Sequence, residues 1–266
     1  MGDAQQSPTS LFQLVNQRYS FLAALDAQIL QKRDLVTELD VSRSTVDRAI
    51  RELETAQLVR NHTSGYHATL YGRTVLACYE SVLDTMSHIQ RAKSLLALLP
   101  PDVAFEFSIL IDAEVHTTSR PAPHTPTTRI AELVENASQL KGLAYAHTSP
   151  EAMSLFEEQI LDVGMTAELV FQKEMFVVLA DTYPEAVTDF TASNNFTGYI
   201  VRDLPYGLFI LSLEDRTVVC LIIYDPNKQL QGIIVNDTSQ AIAWGKDVFQ
   251  QHRSEAAPLD GEEFNI

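Results

Sequence analysis

Between Leu11 and Thr69 the chain carries three apolar-periodic segments and then two short strand-like stretches around a single glycine, an order that few small folds can use. Leu11, Val15, Leu22 and Leu25 recur at helical spacing within 11–28. Leu35, Val36 and Leu39 form the stripe of a second helix over Lys32–Leu39, broken at Asp40-Val41. Ser42 offers an N-cap hydroxyl to a third helix running to Ala56. There Val46, Ala49, Ile50 and Leu53 face inward at i, i+3, i+4 and i+7. Leu58–Asn61 and Tyr66–Thr69 are joined by His62-Thr63-Ser64-Gly65, whose glycine allows positive φ, so this region reads as a hairpin. Three helices followed by a hairpin is the order of a winged helix-turn-helix.

Thr69 is placed to cap a long helix predicted over Leu70–Leu99 and stopped by Pro100-Pro101. Val75, Val82, Ile89 and Leu96 recur every seven residues, with Cys78, Thr85, Ala92 and Leu99 between them. This weak heptad seam fits a dimerisation helix and a helix packed on its own chain equally well. Beyond the prolines, strands are predicted at Phe105–Ile111, Leu143–Ala146, Ala167–Phe171, Phe176–Ala180, Tyr199–Arg202, Leu208–Leu213, Val218–Tyr224 and Gly232–Val235. Helices are predicted at Thr127–Leu140, Pro150–Leu161, Tyr183–Phe190 and Ser239–His252, and Asp225-Pro226-Asn227-Lys228 links two strands antiparallel. The predicted fold class is α+β: an N-terminal winged helix-turn-helix, a long connecting helix and a C-terminal mixed α/β domain. The domains expected are 1–75, 76–101 and 102–254, with a polar, frayed tail over 255–266.

The formal net charge of −16 argues against a nucleic-acid binder until it is divided along the chain. Residues 1–75 hold eight of the 19 basic and eight of the 35 acidic residues, which leaves 11 against 27 beyond. The whole excess therefore lies in the back portion, a poor surface for a polyanion. Six Lys beside thirteen Arg, with abundant Thr, Val, Asp and Glu, resembles the proteins of salt-accumulating archaea. The longest apolar run, Val218–Tyr224, is far below the ~20 residues of a membrane helix, and MGDAQQSPTS lacks the features of a signal peptide. A cytoplasmic protein with no membrane partner is expected. Cys78 and Cys220 belong to no Cys/His cluster, so both read as small buried hydrophobes and no metal or cofactor is implied.

With its apolar stripe buried, the third helix turns Arg43, Ser44, Asp47, Arg48 and Arg51 outward. Arginine on a helix in the major groove can pair with guanine O6 and N7. Ser42, Ser44 and Thr45 at the helix N-terminus suit phosphates or bases. Lys32 and Arg33, opening the second helix, are placed for backbone phosphates; Arg60, His62, Tyr66 and His67 on the wing suit the minor groove or flanking backbone. Asp47 is awkward on such a face unless it orients an arginine or accepts from cytosine N4.

The run RYSFLAALDAQILQKRDLVTELDVSRSTVDRAIRELETAQLVRNHTSGYHATLYGR resembles the ArsR/TrmB-like winged-helix regulators of haloarchaea. SRSTVDRAIRELE corresponds to their recognition helix, and YHATLYGR to a wing exit that is usually Tyr-x-Leu-Thr-x-x-Gly, with Ala68 here in place of the leucine and Leu70 in place of a common proline. IDAEVHTTSRPAPHTPTTRIAELVENASQLKGLA resembles the domain named for a methanogen filament regulator, through Pro123-His124-Thr125-Pro126. The resemblance implies a sequence-specific, homodimeric regulator of double-stranded DNA whose C-terminal domain takes a small-molecule or protein effector.

Enzymatic readings fare worse. TrmB-like C-terminal domains can resemble a phospholipase-D-type fold, yet none of the seven histidines begins a His-x-Lys motif. GxGxxG, GxSxG and HExxH are missing, and Gly245-Lys246 lacks the upstream glycine of a phosphate loop. His116, His124 and His147 read as scattered loop histidines. The sequons at Asn61, Asn136, Asn195 and Asn236 follow from a Thr-rich composition. No enzyme is expected. The alternative function is a winged-helix protein-interaction module without DNA binding, which the near-neutral front domain favours.

Overall fold

The computed structural model describes residues 7–118, 124–146 and 149–259. The chain divides into two compact units between Met86 and Ser87, inside the segment that the sequence assigns to a connecting helix. The fold is α+β, as expected, with a helical N-terminal unit and a large C-terminal sheet.

In the first unit, α1 (Pro8–Ala27), α2 (Lys32–Glu38) and α3 (Arg43–Thr55) precede a hairpin of β1 (Val59–His62) and β2 (Gly65–Ala68). α4 (Leu70–Leu96) starts where the sequence predicts and ends three residues early. The turn between α2 and α3 is tight because Asp40 takes φ 49°, a left-handed conformation that aspartate tolerates. Ser42 caps α3 by accepting from the Thr45 amide at 3.2 Å. Val46, Ala49, Ile50 and Leu53 are buried as their spacing predicts, against Val15, Leu22, Leu25 and Leu35. The valine, isoleucine and leucine side chains among them each contribute about 1.5–3 kcal/mol by leaving water. The wing is a two-residue hairpin with His62 opposite Gly65. Leu30 joins it as a third edge, exchanging both backbone hydrogen bonds with Tyr66 at 2.8 and 3.1 Å.

In the second unit, the eight-stranded sheet has the order β10-β6-β5-β4-β7-β8-β9-β3. Its strands are β3 (Glu114–Thr117), β4 (Ala137–Ala144), β5 (Thr166–Gln172), β6 (Phe196–Val201), β7 (Gly207–Leu213), β8 (Thr217–Tyr224), β9 (Leu230–Asn236) and β10 (Ala257–Pro258). β4, β5 and β6 run parallel, while β7, β8 and β9 form an antiparallel meander on β4. Helices α5 (Thr125–Glu135), α6 (Pro150–Glu157), α7 (Lys173–Thr182) and α8 (Pro184–Ala192) cover one face, and α9 (Ser239–Glu255) covers the other. β8 therefore reads as a continuous apolar run: Val218, Cys220 and Ile222 enter one core, and Val219, Leu221 and Ile223 the other. α9 lies close to the sheet at Gly245, where a Cβ would stand 2.7 Å from Val219 Cγ2.

Several expectations change. Phe105–Ile111 is no strand: Ser108, Ile109 and Leu110 are buried consecutively in a 3-10 turn, and β3 follows it. The helix expected over Thr127–Leu140 stops at Glu135, where the Asn136 side chain donates to Glu132 O at 2.7 Å and β4 begins. Phe176–Ala180 is helical, burying Met175, Phe176 and Leu179 while Val177 and Val178 stay exposed. α6 passes into a π-helical turn, Glu158–Val163, closed by Gly164 at φ 91°. Cys78 is exposed, since α4 buries Leu76 and Tyr79 instead; Cys220 is buried. Of the tail expected to fray over 255–266, Glu255 ends α9 and Ala257–Pro258 form β10 on β6, while 260–266 lie outside the described residues. His147 and Pro123 lie outside the described residues.

Candidate nucleic-acid interface

α3 presents Ser42, Arg43, Ser44, Asp47, Arg48 and Arg51 to solvent, with Thr45 half-buried. The first turn is a hydroxyl cluster: Ser42 Oγ lies 2.9 Å from Ser44 Oγ and 2.8 Å from Thr45 Oγ1. Around it the unsatisfied amides of a helix N-terminus favour an anion. Arg43 and Arg51 make no ion pair among the described residues.

Two other basic side chains of the face are already engaged. Lys32 Nζ stands 2.7 Å from Asp47 Oδ1 and 5.8 Å from the centre of the Tyr66 ring. The hydrogen bond raises the Lys32 pKa and lowers that of Asp47, with Arg43 adding to the latter. The awkward aspartate of the sequence thus accepts from α2 and fixes it to α3. Arg48 Nε donates to Glu52 Oε1 at 2.9 Å, one turn along. Glu52 Oε2 accepts from Arg18 Nε of α1 at 2.7 Å, and the two arginines hold the Glu52 carboxyl below the usual carboxylate range. Arg33 projects freely, 80% exposed, with a loose 3.5 Å contact to its neighbour Asp34.

On the wing, Arg60 and His67 face each other across the hairpin, and Arg60 Nε donates to His67 Nε2 at 2.7 Å. With Nε2 accepting, this arrangement suits the neutral imidazole with its proton on Nδ1. Burial first, then the charges of Arg60, His62 and Arg73, push its pKa below the ordinary 6.5. The His62 ring lies 5.7 Å from that of His67. Tyr66 is half-buried against Leu30 and the Lys32 ammonium, a packing residue with one exposed edge.

The sequence-predicted residues thus fall into three groups on one unit: the α3 N-terminus and outer face (Ser42, Arg43, Ser44, Thr45, Arg48, Arg51), the start of α2 (Lys32, Arg33), and the wing (Arg60, Tyr66). Arg18, Glu52 and His67 complete the electrostatic arrangement. Arg18 and Glu52 are 34 residues apart, and no local periodicity could have paired them. Outside this unit His116 pairs with Glu114 at 3.2 Å, and His124 precedes α5. No group of His, Cys, Asp or Glu among the described residues is arranged to hold a metal ion. No helix among them is long and apolar enough to cross a membrane.

A family model described as the middle domain of the methanogenesis regulatory protein FilR1 matches residues 123–255, half of the chain. A second, the HVO_A0261 N-terminal domain, matches residues 8–91. Comparison with curated proteins found no match. Among solved structures, TrmBL2, an archaeal chromatin protein described with a novel mode of DNA binding, aligns at 14% identity and TM-score 0.44, covering 95% of this chain and all of its own. NucT from Helicobacter pylori aligns at 10% identity and TM-score 0.42, over 55% of this chain and 98% of its own. Nuc from Salmonella typhimurium, a phospholipase D family member, aligns at 10% identity and TM-score 0.42, over 56% and 99%. Likeness at this level carries no functional argument. The chain belongs to the FilR1 middle-domain family.

Proposed function

We propose, from that membership and from the geometry of α3, that the chain is a sequence-specific DNA-binding transcriptional regulator acting as a homodimer. The observation that carries this reading is the outer face of α3. Arg43 and Arg51 stand exposed and free of ion pairs among the described residues, flanking Arg48 on a helix whose N-terminus is open to an anion. Arg43, Ser44 and Arg48 would meet base edges, while Lys32, Arg33, Ser42 and Thr45 contact phosphates and Arg60 and Tyr66 reach the flanking backbone. The C-terminal unit would take the effector, and the protein would act by binding, with no reaction of its own.

The test is selection of bound sequences from a random double-stranded pool. Enrichment of a defined motif by the wild-type chain, lost in Arg43→Ala/Arg48→Ala with folding intact, is the expected result. Failure to enrich any motif overturns the reading.

A second reading, a protein-interaction module, draws on Lys32–Asp47 and Arg48–Glu52, which already neutralise two basic groups of the face. Under it, the selection fails while a partner binds and ignores Arg43→Ala.

A further inference from the structure

The face of the large sheet covered by α5, α6, α7 and α8 is incompletely filled. A cavity of about 710 Å3 lies there, within the ~300–1,000 Å3 range of small-molecule sites. Interiors are packed with few voids larger than a water molecule, so space on this scale among the described residues is unusual and has room for a small ligand. Its walls are mostly apolar, with Phe156, Phe171, Phe190, Phe196, Phe209 and Met153 lining it, while Thr127, Thr128 and the acidic residue Glu151 also belong to the lining. Edge-on and stacked contacts hold these rings, with Phe156 6.1 Å from Phe209 and Phe190 5.4 Å from Phe196.

One end of the cavity differs. Tyr145, Tyr224 and Lys228 line it together. Their rings lie 5.4 Å apart, and Lys228 Nζ stands 5.5 Å from the centre of the Tyr145 ring. The turn after β8 presents this lysine, with Lys228 itself at φ 60°. Among the described residues its one carboxylate contact is Glu174 Oε2 at 3.5 Å, a long pair to a side chain 80% exposed. The Tyr224 hydroxyl makes no hydrogen bond among the described residues, and burial raises its pKa above the ordinary 10. A cation and an unengaged phenol at one end of an aromatic chamber match an anionic head on an apolar body.

We infer that this cavity is a binding site for a small amphipathic carboxylate, with its hydrocarbon body among the phenylalanines and its carboxylate on Lys228 and Tyr224. The site stands whether or not the chain binds DNA; only the role of the ligand as effector rests on the regulator reading.

The probes are anilinonaphthalenesulfonate fluorescence and its displacement by decanoate and by decanol, on the full chain and without DNA. Wild-type protein should bind the dye saturably, release it to decanoate, and prefer decanoate to decanol by roughly tenfold, as a charge-assisted contact gives. Lys228→Gln should remove that preference and leave decanol unchanged. Ala152→Phe, which fills the chamber from α6, should exclude both competitors. Should Ala152→Phe fail to fold, Lys228→Gln, on an exposed turn, carries the test alone. Absence of saturable displacement, displacement that survives Ala152→Phe in a folded protein, or a decanoate preference untouched by Lys228→Gln each overturns the inference.

Discussion

Lys32 and Asp47 form a 2.7 Å ion pair between the first turn of α2 and the outer face of α3. Both side chains are partly exposed, so the pair adds little to stability. Its consequence is electrostatic, because the Asp47 carboxylate cancels the charge of one cation on the proposed DNA surface. Asp47→Asn should therefore strengthen binding several-fold on all sequences, measured by anisotropy, and steepen the logarithmic salt dependence by about one. Weakening confined to particular sites would instead make Asp47 a reader of cytosine.

Glu52 serves two arginines with opposite demands. The Arg18 side chain is only 15% exposed, whereas that of Arg48 is 68% exposed. Glu52→Ala leaves Arg18 without its acceptor and should lower stability by about 1–3 kcal/mol, read by denaturant unfolding. Arg48→Ala should change stability by less than about 0.5 kcal/mol while weakening DNA binding. The Glu52 carboxyl titrates below its ordinary 4.5, so its contribution is complete above that value and is lost as pH falls through the lowered one.

His67 links the wing to pH. Its folded pKa lies below 6.5, so the unfolded chain takes up the proton first and stability falls as pH drops below 6.5. A DNA phosphate seated there would reverse the preference, because an anion beside Arg60 and His67 favours the charged imidazole. DNA affinity should rise over the same window in which stability falls. His67→Gln should flatten the rise; an unchanged pH slope of binding would place the wing away from DNA.

Gly65 is fixed by a close approach. At φ 148° its missing Cβ would stand 2.5 Å from the Leu30 carbonyl oxygen, a backbone atom with no room to retreat. Gly65→Ala should separate Leu30 from the hairpin and cost about 2–4 kcal/mol, measured by thermal melting. A variant melting as the wild type does would mean that Leu30 and the hairpin are not a rigid unit.

The first unit was legible because its signals are local. The stripe of α3, the Ser42 cap and the Gly65 hairpin each lie within a few residues, and each is found where the sequence puts it. The second unit was legible where burial on both faces imposed a long apolar run, as in β8. It failed at 175–180, where Met-Phe-Val-Val-Leu-Ala suits a strand by propensity, yet only Met175, Phe176 and Leu179 meet the core. At the interface the residue types were readable, but their pairing was not. Lys32–Asp47 and Arg18–Glu52 depend on how helices cross, and a cavity is a property of what fails to fill a space.

The heptad seam of α4 does not survive as one face. Val75 packs into the first unit's core, whereas Ile89, Ala92 and Leu96 pack into the second unit's. Val82 of the seam is exposed at 40%, and beside it Leu83 at 45% and Met86 at 57% are exposed on the α4 face that continues from Tyr79. Phe12 of α1, 44% exposed, abuts the same tyrosine with ring centres 5.1 Å apart. Exposed apolar side chains gathered at helical spacing suit a self-complementary contact around a two-fold axis. If two chains pair there, Leu83→Asp/Met86→Glu should sediment as a monomer without loss of thermal stability, since neither side chain enters the core. On DNA the double variant should keep its affinity for a single half-site and lose roughly a hundredfold on a paired site. A double variant that still sediments as a dimer would move the contact to the C-terminal unit. A wild-type protein that is monomeric both in solution and on DNA would end the dimeric reading.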